Sequence, residues 1–312
     1  MMKKLLFALL CVLLAAVLCA CAQQPPESLK EETPAGALVI EAEPDAEAAL
    51  QFTATLYFRY GETALLRQES RQITMQPNES REHALVSALL EGSRETGSRP
   101  LFPEKTEVLS TQSQDGMIYI TFNEALYDRY SDEDVTREES VQRRELALAA
   151  LTATLTESGE YRAVQVLVRA EEKVGRSMRL TRRFLWDDQE DIVPPLTRRQ
   201  DVLPTPAAYA REMLRAWQNR DNEQLRAFAA YTGAGDQGDW LQKAPVLLSF
   251  AVYDGTVSLD AARAVVCADL ILRDENGMEA LMETCPVTLM RQGGAWKVSL
   301  AQLGAVMGES NE

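Results

Sequence analysis

Few residues in this chain belong to the types that carry acid–base, nucleophilic or metal chemistry. His83 is the single histidine, and it falls in the first turn of a helix-like stretch beside Glu82. No G-x-S-x-G run accompanies it, so a Ser-His-Asp hydrolase triad has no motif behind it. Neither H-E-x-x-H nor paired C-x-x-C occurs, so no dedicated zinc site is marked. The run Gly233-Ala234-Gly235-Asp236-Gln237-Gly238 fits G-x-G-x-x-G. A dinucleotide fingerprint needs a strand before that turn and a helix after it. Here the run follows a helical stretch and reads as a loop. The acids Asp187, Asp188, Glu190 and Asp191 lack the glycine that a calcium loop places at its sharp turn. No spacing singles out the carboxylate pair that glycosidic cleavage requires. We therefore assign no catalytic residue, no metal ligand and no cofactor, and expect a protein that is not an enzyme.

The one sharp chemical signature is at the N-terminus. Lys3 and Lys4 precede an apolar run, Leu5 to Leu18, which has signal-peptide length and is too short for a comfortable membrane span. Leu18-Cys19-Ala20-Cys21 then resembles the bacterial lipobox. The resemblance implies thioether lipidation of Cys21 and cleavage before it. Residues 1–20 are then a signal peptide, and the mature protein is held at the extracytoplasmic face of the cell membrane. Residues 21–50 are rich in Gln, Pro, Glu and Ala, with seven acids against the one lysine Lys30 from Ala22 onward. That composition predicts a disordered acidic tether with a reach of about 30 Å.

Net charge is −15 over 312 residues. That excludes nucleic acid as a partner, since phosphate neutralisation needs clustered Lys and Arg. The basic stretch Lys173, Arg176, Arg179, Arg182 and Arg183 interrupts the acidity, but Met178-Arg179-Leu180-Thr181-Arg182 alternates as a strand with a solvated face does. Hydrophobic residues make up 46%, enough for globular cores, and the length suggests two domains.

The first domain, 51–186, reads β-β-α-β-β-α-β. Phe52, Ala54, Leu56 and Phe58 share one strand face. A second extended run covers Ala64 to Met75. Asn78 or Ser80 can cap a helix from Arg81 whose stripe is Leu85, Ala88 and Leu89 and whose end is Gly92. Gln114-Asp115-Gly116 is a hairpin turn signal, followed by Ile118, Ile120 and Phe122 in alternation. A second helix, Glu138 to Thr156, places Ala147, Leu148, Leu151, Thr154 and Leu155 on one face, and Val164 to Val168 forms a closing strand. Two helices on one face of a mixed sheet bury these stripes.

TLYF (Thr55 to Phe58), ALVSALLEG (Ala84 to Gly92), LFPEKTEVLS (Leu101 to Ser110), GMIYITFNEAL (Gly116 to Leu126) and LALAALTATLTE with YRAVQVLV (Leu146 to Val168) together resemble the GerMN domain of sporulation and germination proteins. The resemblance implies an extracytoplasmic scaffold or interaction role, with envelope proteins as partners.

The proline-rich stretch 187–203 reads as a linker, and a second domain covers 204–306. A helix from Pro206, capped by Thr205, carries Ala210, Met213, Leu214 and Trp217 inward. A short helix with Leu225 and Phe228 follows, then strands at Val246–Tyr253, Ala262–Leu272, Glu279–Met290 and Trp296–Leu300. This is an α+β domain with an antiparallel meander. EMLRAWQNRDNEQLRAF and VTLMRQGGAWKVSL resemble NTF2-like domains, which implies a pocket that is catalytic, ligand-binding or filled. Val265, Leu270, Ile271, Val287 and Leu289 on the strands point to a filled or apolar interior. A small-molecule ligand, if one binds there, is not specified by the residues. Cys267 and Cys285 stand directly opposite if the hairpin is centred on Asn276. They are either a disulfide or two reduced core thiols, because a shift of one residue puts them on opposite faces.

Cys21→Ala is expected to abolish processing or release the protein from the membrane. Fractionation with mass analysis of the N-terminus checks it. Cys21→Ala protein that is cut and retained like the wild type would refute the lipid anchor.

Overall fold

The computed structural model describes residues 50–95, 98–132, 135–169, 176–186, 190–230 and 240–309. Cys21, the leader, tether residues 21–49, Lys173, Asp187, Asp188 and the Gly233–Gly238 run lie outside the described residues, while Leu50, read as the last tether residue, begins the first strand. Those described form a mixed α+β fold with two hydrophobic cores.

The first core begins with a hairpin, β1 (Leu50–Arg59) and β2 (Leu66–Met75), whose register pairs Leu50 with Met75 and Arg59 with Leu66. Helix α1 (Arg81–Leu90) follows. Ser80 Oγ accepts the His83 N–H at 3.1 Å, and the chain leaves the helix through Gly92 at φ +85°. Next come β3 (Val108–Gln114) and β4 (Met117–Asn123), joined by Asp115 and Gly116, both at positive φ as a two-residue hairpin turn requires. Helix α2 (Arg137–Leu155) starts at Thr136, whose Oγ1 accepts the Glu139 N–H. Strand β5 (Ala163–Arg169) pairs parallel to β4, and β6 (Ser177–Arg179) pairs antiparallel to β5.

The strands divide between two sheets, the β1–β2 hairpin and the mixed sheet β3-β4-β5-β6. The expected one-faced stripe of α2 is therefore wider than its leucines suggest. The helix meets β1, β5 and α1 together, and every residue from Leu146 to Leu155 is buried. Its N-terminal half carries fully buried Arg143 and Arg144. The Arg144 guanidinium donates to the carbonyls of Phe184 at 3.2 Å and Leu126 at 3.4 Å, and lies over the Phe184 ring. Arg143 donates to Asp132 at 3.0 Å and lies 4.3 Å from the Tyr130 ring centroid.

The segment read as a linker is laid along this core. Ile192 bridges to Thr181 and Leu196 to Val164, while Val193, Val202 and Leu203 are buried. Its prolines keep it extended, which leaves its remaining N–H and C=O groups free for such bridges.

The second core is built by α3 (Pro206–Gln218), α4 (Asn222–Phe228), a short helix α5 (Trp240–Lys243), five antiparallel strands and α6 (Leu300–Glu309). The strands are β7 (Val246–Val252), β8 (Thr256–Val257), β9 (Arg263–Arg273), β10 (Glu279–Gln292) and β11 (Ala295–Val298), in the order β11-β10-β9-β7 with β8 on β9. Thr205 caps α3 and Pro206 opens it. Met213, Trp217, Phe228, Leu270, Val287 and Leu289 fill the space between helices and sheet.

Two residues counted toward that interior face the other way. Val265 and Ile271 lie on the outer face of β9, 38% and 37% exposed, because burial alternates through Ala264, Val266, Ala268 and Leu270. The β9–β10 hairpin is centred on Asn276 only from Arg273/Glu279 to Leu270/Met282. One extra residue then enters β10 before Cys285 pairs with Ala268. Asp269 holds this bulge: its Oδ1 accepts the Thr284 N–H at 2.8 Å, with Thr284 at φ +55°. Cys267 now stands opposite Pro286 on the outer face and Cys285 is buried inside, and both are free thiols. Burial pushes the Cys285 thiol pKa up, as does the neighbouring Cys267.

Unfolding without reductant followed by alkylation should label both Cys267 and Cys285 in a peptide map. Recovery of a linked 267–285 peptide would overturn the bulged register.

Candidate interaction site

On β2 the side chains of Arg67, Glu69, Arg71 and Ile73 point inward, and Gln68, Ser70, Gln72 and Thr74 point outward. Arg67 and Arg71 are only 5% and 4% exposed, so each guanidinium must find partners for its donors. Arg71 donates to Ala88 O at 2.9 Å and Gly92 O at 2.8 Å, which ties the C-terminal carbonyls of α1 to the strand. It also pairs with Glu69 and lies over the Phe58 ring. Arg67 reaches Glu95 at 2.9 Å, Glu69 at 3.3 Å and Ser93 Oγ at 2.7 Å. Burial raises the Glu69 pKa, but hydrogen bonds from Arg71 and Ser93 outweigh it and hold the carboxyl below its ordinary range.

The same strand is where the two cores meet. Leu65 belongs to the second core, and Tyr60 packs against its Tyr209 and Phe228. Tyr209 donates its hydroxyl to Leu66 O at 2.8 Å. Lys297 lies over the Tyr60 ring and donates to Tyr60 and to Ala227 O, and burial lowers its pKa. At the β10–β11 turn, Gly294 O accepts the Gln68 N–H at 3.2 Å. Gly294 has φ +75°, and a Cβ there would lie 1.8 Å from Gln68 O. Only glycine permits that approach.

Beside this contact opens a cleft of about 810 Å³ lined by Thr55, Ser70, Arg94, Glu95, Arg291 and Gly293 among others. A smaller one, about 180 Å³, lies between β1 and the α1 and α2 ends and includes Arg81, Glu82, Glu157 and Tyr161. Thr55 lines both, so the polar outer face of the hairpin connects them. Tyr161 donates to Glu82 at 2.9 Å, and burial together with that carboxylate pushes its pKa up to about 12. Among the described residues neither Arg94 nor Arg291 has a carboxylate partner; Arg291 donates to Gln68 Oε1 and lies over the Trp296 ring. The site offers hydrogen bonds and cationic charge, with its enclosed carboxylate held ionised.

His83 is away from the large cleft; its Nδ1 is 2.6 Å from Glu79 Oε1 on the α1 surface. Arg176, Arg179, Arg182 and Arg183 are exposed around β6. Among the described residues no group of three or more His, Cys, Asp or Glu stands together as a metal site, and no helix is long and apolar enough to cross a membrane. The buried arginines of β2 were not foreseen. Their signal was present in the alternation, where Arg67 and Arg71 are in phase with Ile73.

Residues 55–173 match the Germane family, described as sporulation and spore germination. That match spans most of the first core, from β1 to β5. Similar solved structures include the tandem GerMN domains of the Bacillus subtilis sporulation protein GerM, at 18% identity over 54% of this chain and 50% of that one, TM-score 0.30. The first GerMN domain of the same protein matches at 16% identity over 47% of this chain and 98% of that domain, TM-score 0.31. A Clostridium perfringens protein provisionally named a lipoprotein matches at 18% identity over 48% and 87%, TM-score 0.27. The chain spans half the length of the tandem GerMN structure. No curated protein matches the chain.

Gly294→Ala should destabilise the protein by about 3 kcal/mol, since both the backbone angle and the approach to Gln68 are denied. Gly293→Ala, at φ +56° with only Glu95 Oε1 near its Cβ at 3.5 Å, should cost about 1 kcal/mol. Urea midpoints compare the two, and equal costs would mean that the close approach contributes nothing.

Proposed function

We propose that this chain is a lipid-anchored cell-envelope protein, held at the extracytoplasmic face through Cys21, that acts as a non-enzymatic scaffold or protein-interaction module in sporulation or spore germination. The observation that carries the reading is the state of the cleft. Its enclosed carboxylate, Glu69, is committed to Arg71 and Arg67 and held below its ordinary pKa. General acid–base catalysis near neutral pH calls for the opposite shift. The match of residues 55–173 supports the process. The lipobox-like Leu18 to Cys21 supports the anchor. The provisional name of the Clostridium perfringens protein agrees with it. In this reading the C-terminal unit is NTF2-like and structural. Its sheet interior is occupied by Leu270, Val287, Leu289 and Trp217, which leaves ligand capture there without support.

The test replaces the native copy with Arg94→Glu/Arg291→Glu and, separately, Cys21→Ala. Chemical crosslinking in intact cells and spore yield are then followed at matched protein levels. Loss of the same crosslinked partner and of spores or germination in both strains is expected. Unchanged partners and spores in both would end the scaffold reading, as would turnover of cell-wall material by the purified protein that Glu69→Gln removes.

A further inference from the structure

The hairpin's hydrogen-bond phase shows which of its backbone groups are open. Tyr57 and Gln68 are opposite each other, and both N–H groups leave the ladder: Tyr57 donates to Thr154 Oγ1 at 3.2 Å and Gln68 to Gly294 O. That pair is therefore a non-hydrogen-bonded one. Thr55/Ser70, Thr53/Gln72 and Gln51/Thr74 share its phase. The N–H and C=O groups of Ser70, Gln72 and Thr74 hence point away from β1, and among the described residues no strand lies beyond β2. The other end of the same edge is closed, with Leu66 O taken by Tyr209 and Gln68 by Gly294.

Exposed edges are commonly blunted by lysine, proline or a covering loop. Here the exposed positions are Ser70, Gln72 and Thr74. The open stretch runs into the large cleft at Ser70, where Arg94 and Arg291 stand without carboxylate partners in a chain of net charge −15. Local cationic charge against that background favours an acidic ligand.

We infer that the Ser70–Thr74 edge of β2 receives an extended acidic peptide of a partner protein as an added strand. Main-chain bonds to Ser70, Gln72 and Thr74 hold it, and its carboxylates face Arg94 and Arg291. The inference rests on the scaffold reading and specifies its contact. Such strand addition draws affinity from main-chain hydrogen bonds and specificity from alternate side chains. Beside Ser70 and Gln72 those side chains are expected to be polar or β-branched.

The probe is a fluorescent seven-residue peptide alternating threonine and valine and ending in two glutamates, titrated by anisotropy with the detergent-solubilised full chain. Saturable binding is expected. N-methylation of the peptide at the residues facing β2 should weaken it at least about tenfold, as should Ser70→Pro, which removes an outward N–H. Arg94→Gln should erase the preference for glutamate over glutamine ends. No saturation up to ~5 mM, a range that still reports very weak binding, would overturn the inference. Equal binding of the N-methylated peptide would do the same without any question of protein folding. A self-associated chain that Ser70→Pro dissociates assigns the edge to a second copy and also overturns it. Ser70→Pro cells that keep both crosslinked partner and spore yield, while Cys21→Ala cells lose them, sink the strand addition but leave the scaffold standing.

Discussion

The close approach of Gly294 to Gln68 is the constraint on which the arrangement of the described chain depends. A turn of the C-terminal sheet is set directly onto an edge strand of the first core, backbone to backbone. Side chains then complete the junction on both sides: Tyr209 on Leu66 O, Lys297 on Tyr60, and Arg291 on Gln68. Backbone contact of this kind fixes both distance and orientation, because neither partner has rotamers to exchange. The same contact closes one end of the β2 edge and leaves the other open. The junction and the cleft are thus products of one feature.

The buried arginines are the second organising element. Arg71 gathers the end of α1, and Arg144 gathers the carbonyls around Leu126 and Phe184. Each satisfies carbonyls at a chain end turned inward that would otherwise need water, and at α1 this adds to the glycine exit at Gly92. Buried cations are costly unless paired, and removing one partner costs more than the pair contributes. Arg67 and Arg71 share Glu69, so that single carboxylate supports the strand, the α1 terminus and the loop at Ser93 together.

Much of this architecture is legible in local chemistry. Ser80, Thr136 and Thr205 each cap the helix that follows, and Asp115-Gly116 makes its turn. These depend on neighbours in sequence alone. The features that were not legible depend on distant partners. The bulge at Thr284 arises because Asp269, on another strand, captures its N–H; no glycine marks the positive φ. Arg67 and Arg71 turn inward because α1 and the loop beyond it present carbonyls and carboxylates there. The division of the strands between two sheets goes with α2 being buried all round from Leu146 to Leu155, while its buried Arg143-Arg144 pair is hidden from any hydrophobic count. The cleft joins residues from Thr55 to Gly294, and no local pattern spans that separation.

Burial of the arginines also changes the meaning of the net charge. The chain carries 32 Lys and Arg against 47 Asp and Glu. Arg59, Arg67, Arg71, Arg143 and Arg144 are withdrawn from solvent, while most of the carboxylates they do not pair with remain outside. The charged groups left at the surface are therefore weighted further toward carboxylates than the overall count implies. An exposed cation on such a surface is a local exception, and its influence is screened within about 8 Å at physiological salt. Arg94 and Arg291 line one cleft beside a strand edge whose hydrogen-bonding groups are unspent. In the proposed strand addition their attraction acts on a peptide already lying along that edge, so charge there would select among ligands and the backbone groups of β2 would hold them.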